Sequence, residues 1–123
     1  MTMQKIYTKH LVASSASGDE TRFMPIYRKL KLVEILIVPN ATTAANGTNY
    51  AILTVLNGAT SLAVRNTAST ALTAGTAESL TLTATKELDF EALESLKITK
   101  THANSGATVD VEFLFVFDVA RDV

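Results

Sequence analysis

Residues 108–119 read TVDVEFLFVFDV, and their alternation decides the fold. Successive side chains of a strand point to opposite faces. Val109, Val111, Phe113, Phe115, Phe117 and Val119 therefore share one face, and Asp110, Glu112, Leu114, Val116 and Asp118 share the other. A helix would scatter the three phenylalanines around its circumference and leave no polar face. The second face is acidic at its ends and apolar in its middle, which predicts a central strand and not an edge. Earlier strands must then flank it.

Working back from there, Asn104-Ser105-Gly106 predicts the turn that enters this strand, and residues 95–101 the strand before it. In residues 86–96, Leu88, Ala92, Leu93 and Leu96 stand at helical spacing among Glu and Leu, which predicts one short helix or a single turn leading into the next strand. Residues 79–84, SLTLTA, read as a half-buried strand with Leu80 and Leu82 inward, and residues 67–76 as an Ala/Thr/Gly loop. Asn57-Gly58, between strands at 50–56 and 59–66, is a hairpin signal, expected as a type I′ turn with positive φ at both residues. The polar loop 40–49 turns at Asn46-Gly47, and its Asn-X-Thr triplets at Asn40 and Asn46 are read as turn residues, not glycosylation sites.

Residues 30–38 are the second strongest strand. Leu30, Leu32 and Glu34 alternate with Lys31 and Val33, the run Ile35-Leu36-Ile37-Val38 is wholly apolar, and Pro39 ends it. Residues 21–27 form a short strand that Pro25 demotes to an edge or a bulge. Residues 4–12 are mixed on both faces, so residues 1–20 read as an N-terminal arm or as a first strand plus loop. Residues 21–123 read as a single domain. The sum is an all-β, antiparallel β-sandwich, a jelly roll of about eight strands with at most one short helix. The jelly roll is preferred because its last strand lies inside one sheet; an immunoglobulin-like sandwich is the alternative.

A chain of 123 residues makes one domain and buries roughly two-thirds of its unfolded surface. It has no cysteine, which favours an intracellular assembly site. No signal-peptide core and no run near the roughly 20 apolar residues of a membrane span are present, so no membrane partner is expected. Net charge is −1 but uneven: residues 1–65 hold seven Lys/Arg against three Asp/Glu, and residues 66–123 hold four against nine. Opposed halves suit a protein that packs against copies of itself. The cations are too few, and lack the aromatic ladder, for nucleic acid.

Catalysis finds little to stand on. The two histidines, His10 and His102, have no nucleophile motif, metal-site motif or nucleotide fingerprint near them, and no enzyme or cofactor is expected. Glu87, Asp89, Glu91 and Glu94 follow no known Ca²⁺ loop and read as a solvated acidic face. The basic run 22–31 is more informative. Arg22, Arg28, Lys29 and Lys31 interleave with Phe23, Met24, Ile26 and Tyr27, a mixture that protein interfaces enrich. With Lys5, Ile6, Tyr7 and Lys9 from the irregular N-terminal stretch, these residues make the candidate partner interface: Lys5, Ile6, Tyr7, Lys9, Arg22, Phe23, Tyr27, Arg28, Lys29 and Lys31.

The Thr/Ala-rich loop leading into SLTLTATKELDF (79–90), then LESLKITKTHANSGATVDVEFLFVF (93–117), resembles the small head decoration, or cement, proteins of tailed bacteriophages. The resemblance is a cadence over residues 30–119: a short Leu strand, an acidic turn, an L-x-I-x strand, a Ser/Gly turn and a closing aromatic strand. Such proteins usually place a glycine before the S-L-x-I segment, where this chain has Leu93-Glu94. The resemblance implies a sandwich that forms a homotrimer on the outer capsid surface and clamps neighbouring major capsid proteins. It implies assembly in the host cytoplasm and a virion location, and transfers no residue one by one. Two rivals are another virion component (neck, tail or fibre base) and a carbohydrate-binding module, the latter poorly served by three scattered tyrosines and no tryptophan.

Overall fold

The computed structural model describes residues 4–83 and 88–119. Nine strands follow in order: β1 (Gln4–Ala13), β2 (Glu20–Pro25), β3 (Leu30–Pro39), β4 (Tyr50–Asn57), β5 (Thr60–Asn66), β6 (Glu78–Leu80), β7 (Asp89–Phe90), β8 (Ser95–Ala103) and β9 (Val109–Val119). One sheet runs β1-β9-β3-β6, with β7 also on β3; the other runs β2-β8-β4-β5. All ladders are antiparallel, and four of them nest: β4 with β5, β3 with β6, β2 with β8, β1 with β9. A long hairpin folded over so that its pairs alternate between two sheets is the jelly roll. The eight nested strands are those expected, and two-residue β7 is an addition.

The strand β9 lies between β1 and β3 as its two-faced pattern requires. Val109, Val111, Phe113, Phe115, Phe117 and Val119 are buried between the sheets, while Asp110, Glu112, Leu114, Val116 and Asp118 are half-buried on the outer face. Phe117 is the aromatic hub, meeting Tyr7 of β1 and Phe90 of β7 edge to face with centroids 5.7 and 6.0 Å away. The segment 4–13, open to two readings, forms a continuous ladder with β9 from Gln4↔Asp118 to Ala13↔Val109. It is the first strand of the sandwich.

Several local expectations are corrected. The phase of β3 slips at a bulge between Leu32 and Glu34, so Leu30, Leu32, Ile35 and Ile37 are buried while Glu34 turns out to solvent. One extra residue lets a carboxylate sit inside an apolar run without entering the core. The hairpin β4–β5 turns on Gly58-Ala59, since Asn57 pairs with Thr60. Among these turn residues only Gly58 has positive φ (62°), the sign pattern of a type II′ turn and not type I′. The strand expected over 79–84 is shorter in its described part, and residue 84 lies outside the described residues. After Leu80 the chain leaves β3, and Thr83 N donates to Leu62 O of the opposite sheet at 2.7 Å.

Of the short helix or single turn expected over 86–96, the described part holds the turn and no helix. Leu88 and Phe90 are buried beside β3, residues 91–94 make a tight turn, and β8 begins at Ser95. Leu88, Leu96 and Ala92 mimic a helical face, but Leu32 N donates to Leu88 O at 2.8 Å and draws the backbone out as strand. Residues 86 and 87 lie outside the described residues.

Candidate interaction surfaces

The sandwich has two unlike ends. At the loop end meet the β1–β2, β3–β4, β5–β6 and β8–β9 connections. Lys100 projects from the inner face of β8, where it is 0% exposed, and its ammonium donates to the carbonyls of Ser15, Ala16 and Gly18 at 3.2, 2.7 and 2.7 Å. All three of its donors are satisfied. Burial pulls the Lys100 pKa below its ordinary value, countered by the charges of Asp19 and Glu20. Gly106, at φ 72°, presses against Ala16 from the other side.

Further ties hold the remaining loops. Thr43 Oγ1 donates to Thr108 O at 2.8 Å, and Asn104 Nδ2 donates to Thr48 O. Asn46 Oδ1 accepts from Thr48 N and Asn49 N, both at 2.9 Å, so this turn is an Asx turn. Arg65 uses all five of its N–H donors, on Glu78 (Nε 2.8 Å, Nη2 2.9 Å) and on the carbonyls of Asn66, Thr70 and Ala71. That hydrogen bonding and the guanidinium charge hold the Glu78 carboxyl below its ordinary range, against the effect of burial.

Small side chains line what is left open at this end. A recess of about 250 Å³ lies among Val12, Ala13, Ala41, Thr43, Val109 and Asp110. A second, more open recess of about 460 Å³ adjoins it and is lined by Ala16, Ala44, Ala45 and Ala107, with Thr42, Thr43 and Thr108 lining both.

At the turn end, large apolar side chains stand out instead. Ile26 N donates to Glu94 O at 2.8 Å and Leu93 N to Ile26 O at 2.6 Å, fastening the β2–β3 loop to the turn 91–94. Glu94 N donates to Glu91 O at 3.2 Å, with Leu93 at φ 73° in the third position. A turn of that sign pattern takes glycine there by default. Leu93 is 86% exposed, and Tyr27, the residue after its hydrogen-bond partner Ile26, 74%. Lys29 Nζ stands 3.8 Å from Glu91 Oε1 on the rim.

The ten residues predicted as a partner interface fall on one side and at one end, not on one face. β1 and β2 are the outer strands of their sheets and lie side by side. Ile6 (62% exposed) is on the outer face of the first sheet and Phe23 (56%) on the outer face of the second. Lys5 is exposed along β1, whereas Tyr7 and Lys9 are half-buried there. Arg22 is turned back on its own strand, donating to Glu20 Oε2 and Thr21 O at 3.0 Å. Tyr27, Arg28 and Lys29 belong to the turn end, and Lys31 stands in register between Asp118 and Asp89. Sequence reasoning missed Leu93 and Lys100. The signals were present: a leucine in the short stretch just before the S-L-x-I segment, and a lysine in phase with Leu96 and Ile98.

Both histidines join separate segments. His10 Nε2 stands 2.5 Å from Asp110 Oδ1, and Asn40 Nδ2 donates to the same oxygen at 3.1 Å. The hydrogen bonds from His10, then Asn40, hold the Asp110 carboxyl below its usual range. His102 Nδ1 stands 2.7 Å from Asp19 Oδ1. Among the described residues no group of three or more His, Cys, Asp or Glu is placed to hold a metal, and no helix is long and apolar enough to cross a membrane. Glu91 and Glu94 are engaged within the 91–94 turn and with Lys29. The three tyrosines are dispersed to β1, the turn end and the start of β4.

No family model matches the chain, and no curated protein matches it. Among solved structures, a chain of Desmodium yellow mottle tymovirus is similar at 10% identity with a TM-score of 0.33, the match covering 100% of this chain and 90% of that one. A likeness that distant carries no argument about what this chain does.

Proposed function

We propose that the chain is a non-enzymatic structural protein of a virion, one that decorates a bacteriophage capsid by clamping adjacent major capsid proteins. The observation that carries this reading is the side formed by β1 and β2. Two outer strands stand together there, each presenting a large exposed apolar residue, Ile6 and Phe23, with Lys5 and Lys9 along the same strand as Ile6. A partner gripping this edge meets one apolar anchor on each outer face, with Lys5 and Lys9 on the other face of β1 from Ile6, and an outer strand pairing on one side only offers main-chain groups to an incoming segment. Both histidines tie strands or loops together, which agrees with a structural role.

Cosedimentation with undecorated capsid shells of a tailed phage tests the reading. The chain is expected to pellet at a fixed ratio to the major capsid protein. Ile6→Glu combined with Phe23→Glu should abolish pelleting while moving stability little, since both positions are surface ones. A chain that stays in the supernatant, or a double variant that pellets like wild type, overturns it. Binding to purified tails and not to heads would transfer the role to another virion component.

A further inference from the structure

The contrast between the two ends points to a second partner: another copy of this chain. We propose that the turn end of one copy docks on the loop end of the next, with Leu93 entering the recess among Val12, Ala13, Ala41, Thr43, Val109 and Asp110. The contact needs no shell and is separate from the β1/β2 side.

Three observations carry it. Leu93 is held at φ 73°, where a bulky residue is strained, and its side chain is almost wholly in water. The fold gains nothing from a leucine there, and a glycine would remove the strain. Tyr27 follows Ile26, whose carbonyl accepts from Leu93 N, and the Lys29–Glu91 pair and the exposed Arg28 belong to the same two connected segments. An exposed apolar centre inside a charged rim is the anatomy of an interface hot spot. The receiving site lies on the same chain. At about 250 Å³ the recess is ample for an aliphatic side chain, given that a cavity of ~150 Å³ takes up benzene. Arg28 has no ion-pair partner among the described residues, and Asp110, held on Oδ1 by His10 and Asn40, lines the recess.

Geometry makes the contact intermolecular. The eleven residues of β9 span roughly 35 Å between the two ends, so no copy reaches its own recess. The contact joins different surfaces, and such head-to-tail pairing closes into a ring or runs on as a filament.

Sedimentation velocity from micromolar to near-millimolar protein tests it. Wild type should form species larger than a dimer as concentration rises. Leu93→Gly should weaken association at least about tenfold while raising the melting temperature. Ala41→Leu, a change at an exposed position, should fill the recess and weaken association equally. The two variants mixed should form a 1:1 heterodimer and nothing larger, because one intact knob then meets one intact recess. Wild type that stays monomeric throughout overturns the proposal. So does a Leu93→Gly chain that associates like wild type, or a mixture that remains monomeric or grows beyond two copies.

Discussion

A methyl group added at Gly106 would sit 1.9 Å from the carbonyl oxygen of Ala16, in a backbone already at φ 72°. Gly106→Ala is therefore expected to cost about 2–4 kcal/mol, from steric overlap as well as strain. Gly58→Ala has strain alone, since nothing lies within 4 Å, and should cost only about 1 kcal/mol. Urea unfolding of the two variants checks the difference. Asp110 supplies a pH-dependent term. Its folded pKa is lowered, so its contribution is present above the unfolded value near 3.9 and lost as pH falls through the folded one. Asp110→Asn should melt below wild type at neutral pH, with the gap closing as pH drops under about 4; a constant gap refutes the linkage. Individual side chains were the least legible level in the sequence. Lys100 stands in the inward phase of β8, but alternation does not reveal that loop carbonyls await it 80-odd residues away.

Elements were legible wherever one period ran unbroken. β9 could be placed by its pattern alone, and Phe115→Ala should cost about 3–5 kcal/mol because its ring is wholly buried. A melt matching wild type would remove β9 from the centre of the sheet. Elements were misjudged where a local feature broke the period. The bulge in β3 put Glu34 out of phase with its neighbours, and the hairpin took its two-residue loop one position later than Asn57-Gly58 suggested. Neither shift leaves a mark in composition, because both are settled by the strand across the ladder. The helical spacing of residues 88–96 is likewise overridden by burial of Leu88 and Phe90 against β3.

At the scale of the molecule, β1 is part of the core architecture, so its removal and its surface chemistry have different effects. Deleting residues 1–12 takes away nearly all of the β1–β9 ladder, leaving β9 paired with β3 alone, and uncovers Leu11's place beside Val111. Calorimetry should show the cooperative melt lost, not merely lowered, whereas the Ile6→Glu and Phe23→Glu changes leave it standing. An unchanged melt after the deletion would contradict the ladder. The candidate surfaces were legible in part. Residue type pointed to Ile6, Phe23 and Tyr27, but the division into one side and two ends follows from nested pairing, which no local pattern contains.

That nesting also sets an order of events during synthesis. The innermost hairpin joins neighbours in sequence, while Gln4 meets Asp118 across 114 positions. The hairpin can close as soon as it leaves the ribosome, but the ladder of β1 and the long ladder of β3 have to wait for β9, their common neighbour, to be translated. Until then β1, bearing Leu11, is without its ladder partner, and β3 has only its short ladders with β6 and β7. Topologies closed by such distant pairs fold slowly. The nascent chain thus passes through a stretch of translation in which chaperone binding competes with aggregation, and that interval ends only when the Phe113–Phe117 segment emerges.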